Sequence, residues 1–160
     1  MLGPSTPMAR TFTNLVELYE RACRDFADRD VFGTKHEDHW HWMTYAEFGE
    51  MVDDFRSGLA SLGVGPGDRV AIVANNCVEW AVAAYATYGL RAAFVPMYEA
   101  QSHDEWIFIL KDCAARVVIG SKPAIYQTLV GRKSEVPSLE HVIGIDLPED
   151  DSHAFANVSA

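Results

Sequence analysis

The sequence predicts a doubly wound α/β fold: a mostly parallel sheet flanked by helices, with an N-terminal helix and β-hairpin extension. Three observations carry that prediction. Four short apolar runs, at residues 69–74, 92–97, 116–120 and 141–146, have the unbroken hydrophobicity of strands covered on both faces. Helical patterns separate consecutive runs, and strand–helix–strand repetition implies parallel pairing through crossovers. Upstream of Arg69 the pattern is different, with a helix, two adjacent short strands and a second helix.

The elements follow in order. Thr13 is placed to cap a helix whose Leu15, Leu18, Tyr19, Ala22 and Phe26 recur at three-to-four-residue spacing and form one apolar stripe. Residues 31–36 and 39–43 read as a hairpin turned through Glu37-Asp38. Thr44 and Glu47 have capping-box spacing and open the clearest helix, with Tyr45, Phe48, Val52, Phe55, Leu59 and Leu62 on one face. Gly63 stops it as a C′ glycine. After the strand at 69–74, Asn75-Asn76 are expected to cap a helix over 77–89 that is apolar nearly all round. Ser102 and Glu105 form a second capping box, opening a helix that turns Trp106, Ile107, Leu110 and Cys113 inward. Pro123 starts a last helix, to residue 130. The domain boundaries expected are a lead at 1–12, one folded unit at 13–146, and a linker-like tail at 147–160 without periodicity.

Composition removes several function classes. Thirteen Lys and Arg against 23 Asp and Glu give a net charge of −10, which repels phosphate backbones and excludes non-specific nucleic-acid binding. Residues 1–10 have no basic segment followed by an apolar run, so no signal peptide is expected. The most apolar stretch, 80–98, is interrupted by Gly89, Arg91 and Pro96 and falls short of the roughly 20 apolar residues of a membrane span. Cys23, Cys77 and Cys113 are odd in number and scattered, pointing to a reducing compartment and a cytoplasmic protein.

Each candidate for chemistry has a plainer structural reading. Gly63-Val64-Gly65-Pro66-Gly67-Asp68 has the glycines of a phosphate loop but closes a helix and enters a strand, the reverse of the required polarity; a helix stop and tight turn is expected. His36, His39 and His41, with Glu37 and Asp38, hint at a metal site. Yet His39 and His41 share one strand face and Trp40 and Trp42 the other, which reads as a polar outer face over an aromatic inner one, so no metal is expected. Cys77 lies where a helix N-terminus could activate a thiol, but a small apolar residue filling the junction is the favoured reading. Ser102-His103-Asp104 is too contiguous for a catalytic triad, and capping accounts for Ser102. In such sheets ligands gather beyond the carboxyl ends of the strands, here Asn75-Asn76, Met97-Tyr98-Glu99, Gly120-Ser121 and Asp146. No spacing among them spells a reaction, and no catalytic or cofactor-binding residue is assigned.

The order of the pieces resembles the opening of the AMP-forming acyl-CoA synthetases, the adenylate-forming ligase family. The similar segments are Thr44-Tyr-Ala-Glu-Phe48, the run from Gly58 through Leu62-Gly63-Val64 and Gly67-Asp68-Arg69-Val70-Ala71 to Asn76, Ala93-Phe-Val-Pro96-Met-Tyr98-Glu99, and the run from Ile107 to Ile119. The resemblance as a whole covers roughly residues 11–146. Pro96-Met-Tyr-Glu99 leans toward the long-chain fatty-acid ligases, while Leu90-Arg91 departs from the family's Ala-Gly. The resemblance implies a two-step ligation using ATP, Mg and CoA, with a fatty acid as substrate. The family's phosphate-gripping loop and catalytic lysine would lie beyond Ala160, so no such cofactor is expected to be held by these residues alone. The chain then reads as an N-terminal fragment whose partner is the remainder of the ligase. The other reading is a free-standing binding or dimerisation module derived from that family, a homodimer included. A small dinucleotide-binding protein is disfavoured, because no glycine fingerprint follows the strand at 69–74.

Overall fold

Residues 70–73 have no solvent on either face, and the architecture is organised around the strand they form. In the computed structural model the described residues are 11–148 and 150–158. The elements are α1 (Leu15–Asp25), β1 (Asp30–His36), β2 (His39–Thr44), α2 (Tyr45–Ser61), β3 (Arg69–Val73), α3 (Val78–Gly89), β4 (Ala93–Met97), α4 (His103–Asp112), β5 (Val117–Gly120), α5 (Pro123–Gly131) and β6 (His141–Gly144). Short 3-10 turns follow at Lys133–Glu135 and Phe155–Asn157.

Four strands form one parallel sheet in the order β4-β3-β5-β6, and β1 and β2 form a separate antiparallel ribbon. The pleat sends alternate residues to opposite faces. Val70, Ile72, Val117, Ile119 and Ile143 pack with Val52, Phe55 and Leu59 of α2 and Val82, Ala83 and Ala86 of α3. Ala71, Val73, Val118 and Val142 pack with Trp106, Ile107 and Leu110 of α4 and Ile125 and Leu129 of α5. This is the doubly wound arrangement that the apolar runs predict.

At the amino-terminal edge, Arg69 ties the turns together by donating to the carbonyls of Gly67, Cys113 and Ala114. Gly63 and Gly67 take φ of +82° and +87° in the turn that ends α2 and enters β3, and the Gly65 N–H donates to Asp68 Oδ2 at 2.8 Å. Positive φ values of that size favour glycine, which has no Cβ to clash, so the glycines serve the turn, as expected. Both capping boxes form, at Thr44 with Glu47 and at Ser102 with Glu105.

Several expectations need correction. Asn14, not Thr13, caps α1, accepting from the Glu17 N–H at 2.8 Å; Thr13 donates to the Glu17 carboxylate instead. The stripe on α1 is only partly covered: Tyr19 is buried, while Leu15 stays exposed. Cys77, not Asn75-Asn76, is the N-cap of α3, and it makes no side-chain capping bond. Cys113 is the C-cap of α4 rather than part of the helix, and it packs half-buried against the core as expected. Residues 1–10, 149 and 159–160 of the expected lead and tail lie outside the described residues.

The largest correction concerns the tail, whose residues pack as part of the body. Ala154 bridges to Gly144 and extends the parallel pattern, and Phe155 stacks on Phe55 with ring centroids 3.9 Å apart. Val158 reaches α2 at Gly58, where its carbonyl oxygen lies 1.6 Å from the position a Cβ would take. Absence of periodicity hid this, because three apolar residues anchoring a turn have no repeat to detect.

Gly58→Ala is therefore expected to destabilise the chain by about 1–3 kcal/mol through overpacking, read as a lower urea midpoint. Phe155→Ala is expected to cost about 3–5 kcal/mol. The two losses should add to less than their sum, since both act by undocking one segment; full additivity would refute the shared cause.

Candidate functional site

Strand order positions a crevice. The chain leaves β3 for β4 on one side and then crosses back over β3 to β5 on the other. Loops diverge from the carboxyl ends of β3 and β5 at that reversal, which is where ligands bind in open α/β sheets. The crevice there encloses about 910 Å³. One wall is Asn75, Asn76, Glu99, Ser121, Lys122 and Asp146; the other is the β1–β2 ribbon with Trp40 and Trp42. Of the strand-end residues singled out by sequence, Asn75, Asn76, Glu99, Ser121 and Asp146 are brought together here. Met97 is buried in the core beneath, and Tyr98 points outward, 74% exposed.

Glu99 is the centre of the polar wall. It follows β4 and spans the end of β3 to reach residues beyond β5. Oε1 accepts from the Asn75 N–H at 3.2 Å and from Ser121 Oγ at 2.6 Å, and Oε2 accepts from Lys122 Nζ. Its side chain is 13% exposed against 57% for Lys122. Burial by itself would raise the Glu99 carboxyl, but the bonds from Lys122, Ser121 and the Asn75 amide outweigh it and hold the carboxyl below the usual range. Sequence reasoning located Glu99 and Ser121 by strand end but missed Lys122. A signal for it existed: a lysine at the first position past a strand-end serine, just before the Pro123 that starts a helix.

The opposite wall overturns the expected burial of the tryptophans. Trp40 and Trp42 stack with centroids 5.7 Å apart and are 56% and 61% exposed. The ring of Trp42 lies over Gly33, its cross-strand partner. The reason is topological: β2 pairs only with β1, and the ribbon is held at its base, where Phe32 meets Phe48 edge-on at 5.1 Å. His39 and His41 occupy the other face and are exposed too; the His36 side chain lies outside the described ones. Among the described residues no three His, Cys, Asp or Glu side chains are placed to hold a metal ion.

Cys77 lines the crevice at the start of α3 and is exposed, so it does not fill the junction as a small apolar residue would. Its thiol, shielded on the protein side, is pushed up to about 11, chiefly by lost solvation and against donation from the Trp80 N–H. A thiol so raised is neutral at pH 7 and a poor nucleophile. Ser102 is occupied in its capping box, and His103 stacks on Trp106 with centroids 4.9 Å apart, leaving no triad geometry.

The Gly63–Gly67 turn lies at the amino edge of the sheet, away from the crevice, whose charged lining is Lys35, Glu79, Glu99, Lys122 and Asp146, with Lys122 giving one of its donors to Glu99. No helix among the described residues is long and apolar enough to cross a membrane.

A parallel α/β layer with a crevice at its topological switch point, one wall polar and the other aromatic, defines an open α/β domain of the doubly wound class. Comparison with known proteins narrows the class. The family described as AMP-binding enzyme matches residues 19–159, and the chain belongs to that family. It is 33% identical over 123 residues to the long-chain-fatty-acid–CoA ligase FadD15 of Mycobacterium bovis, covering 76% of this chain and 20% of that protein. It is 29% identical over 143 residues to a long-chain-fatty-acid–CoA ligase of Thermus thermophilus, covering 89% of this chain and 26% of that one. Among solved structures it is similar to the inhibitor-bound N-terminal domain of FACL13 from Mycobacterium tuberculosis, with TM-score 0.76 and 25% identity over 84% of this chain and 34% of that one. The chain thus spans about a fifth to a quarter of the length of these curated relatives.

Two outcomes follow from the site's electrostatics. Alkylation of Cys77 by iodoacetamide, followed by peptide mass spectrometry, is expected to accelerate steadily from pH 7 toward pH 11; a rate plateau below pH 8 would reveal an activated thiolate instead. Glu99 has a lowered pKa in the folded chain, so near that pKa the carboxyl group binds fewer protons folded than unfolded. Its stabilisation is present above the unfolded value of about 4.3 and is lost as pH falls through the folded value. The urea-midpoint advantage over Glu99→Gln should shrink along that descent; an advantage that grew on acidification would reverse the sign.

Proposed function

We propose that this chain is the N-terminal subdomain of an AMP-forming long-chain fatty-acid–CoA ligase. The observation that carries the reading is the family match over residues 19–159, joined to 33% identity with a long-chain-fatty-acid–CoA ligase along three quarters of the chain. On this reading a fatty-acid carboxylate oxygen attacks the α-phosphorus of ATP, releasing pyrophosphate and leaving an acyl-adenylate. The CoA sulfur then attacks the acyl carbonyl, and AMP departs. ATP, Mg and CoA are cofactors of the whole ligase, bound through residues outside these 160.

In this role the chain contributes a rigid wall and carries no catalytic step of its own. The three free cysteines suit a reducing, cytoplasmic setting.

The test is palmitate-dependent ATP–pyrophosphate exchange by the purified 160-residue chain. No exchange above background is expected, with exchange appearing when the chain is joined to the whole remainder of the ligase, its phosphate-gripping loop and catalytic lysine included. Robust exchange by the 160 residues alone would defeat the proposed division of labour. A stop codon directly after Ala160 would favour a non-catalytic module.

A further inference from the structure

We infer that Glu99 is the positioning residue of the switch-point crevice, acting through the Asn75 amide and the Lys122 ammonium to hold the loops after β3 and β5 at a fixed spacing. Three observations carry it. Glu99 springs from β4, an edge strand, yet its carboxylate lies across the ends of the two strands beside it in the order β4-β3-β5. One oxygen accepts from both loops at once, from the Asn75 N–H and from Ser121 Oγ, and the other accepts from Lys122 Nζ. The donors are of three different kinds, a backbone amide, a hydroxyl and an ammonium, so a single largely covered group sets three groups that line the crevice.

The chemistry suits holding better than reacting. A carboxylate with three protein donors has its strongest acceptor positions filled and little left with which to take a proton from a ligand. Lys122, by contrast, spends one of its three N–H donors on Glu99 and keeps two. Its long side chain is fixed at one end by the backbone at the start of α5 and at the other by the ion pair. The rotamer freedom that a flexible ammonium would lose on meeting a ligand is thereby lost in advance, which is how a site is preorganised. Glu105 and Glu47 offer the contrast: each serves only its own helix cap, within three residues in sequence, whereas Glu99 joins residues 22 to 24 positions away. The inference rests on the ligase reading only for the purpose of the crevice; the latch itself is independent of it.

The experiment is amide and side-chain hydrogen exchange by NMR on the 160-residue chain, comparing wild type with Glu99→Ala and Glu99→Gln. In Glu99→Ala the Asn75 amide should exchange at least about tenfold faster, as expected for a lost hydrogen bond in a locally opening loop. The core amides of Ile72 and Ile119 should keep their rates. Glu99→Gln, which preserves the shape and one acceptor oxygen, should restore protection at Asn75 while the Lys122 Nζ protons lose theirs and exchange like those of other exposed lysines. Unaltered Asn75 exchange in Glu99→Ala overturns the inference. So does equal acceleration at Asn75, Ile72 and Ile119, because that pattern marks a general stabiliser. Should Glu99→Ala not fold, the Gln variant decides: an unchanged Lys122 signal overturns the inference and a lost one supports it. None of these readouts involves ATP, fatty acid or CoA. A failed latch therefore leaves the ligase reading standing, and a failed exchange assay leaves the latch standing.

Discussion

Everything in this chain follows from the requirement that β3 be covered twice and paired twice. Val70, Ala71, Ile72 and Val73 are fully buried, so both faces of the strand need helices, and both edges need strands to satisfy the backbone. The β4 neighbour and the β5 neighbour supply the edges. α2 and α3 supply one face, and α4 and α5 the other. A chain that must place successive strands on opposite sides of β3 has to reverse direction across it. The crevice at the carboxyl edge is the consequence of that reversal.

Polar groups occupy the two edges of the sheet in different ways. At the amino edge Arg69 and Arg116 close turns: Arg69 donates to three carbonyls, and Arg116 pairs with Asp68 at 3.3 Å and Glu140 at 2.9 Å. These contacts satisfy groups that the loops would otherwise strand. At the carboxyl edge one acidic side chain, Glu99, collects donors from neighbouring loops and leaves Lys122 mostly exposed over open space. The first arrangement seals an edge. The second keeps an edge open while holding its shape, as expected of the side of an α/β sheet where ligands are handled.

The periphery shows how a small α/β layer of this family spends its surface. The tail returns to α2 because Gly58 lacks a side chain and lets the Val158 carbonyl approach, and Phe155 then covers Phe55. The hairpin, in contrast, is anchored through Val31, Phe32 and Met43 and raises Trp40 and Trp42 into solvent beside the crevice. Large exposed aromatics are expensive to leave in water. Their place opposite the Glu99 wall makes the ribbon the second side of the same feature.

The sequence by itself determined the parallel layer, because continuous apolar runs and capping boxes are local signals: strands 69–73, 93–97, 117–120 and 141–144 and the caps at Thr44 and Ser102 all stand where the residue pattern places them. It also determined the family, through the order of segments from Thr44 to Ile119, and it pointed to the strand ends where Glu99 and Ser121 meet. Only the tertiary structure decided which of two adjacent candidates caps a helix, Asn14 over Thr13 and Cys77 over the asparagines, since that depends on backbone angles at one residue. It alone decided that Ala154, Phe155 and Val158 join the core and that Trp40 and Trp42 do not. Alternation in a strand says which residues share a face, but what covers that face is settled by distant parts of the chain. The reach of Glu99 to Lys122, 23 residues on, belongs to the same class of fact: it exists only because β5 crosses back to lie beside β3.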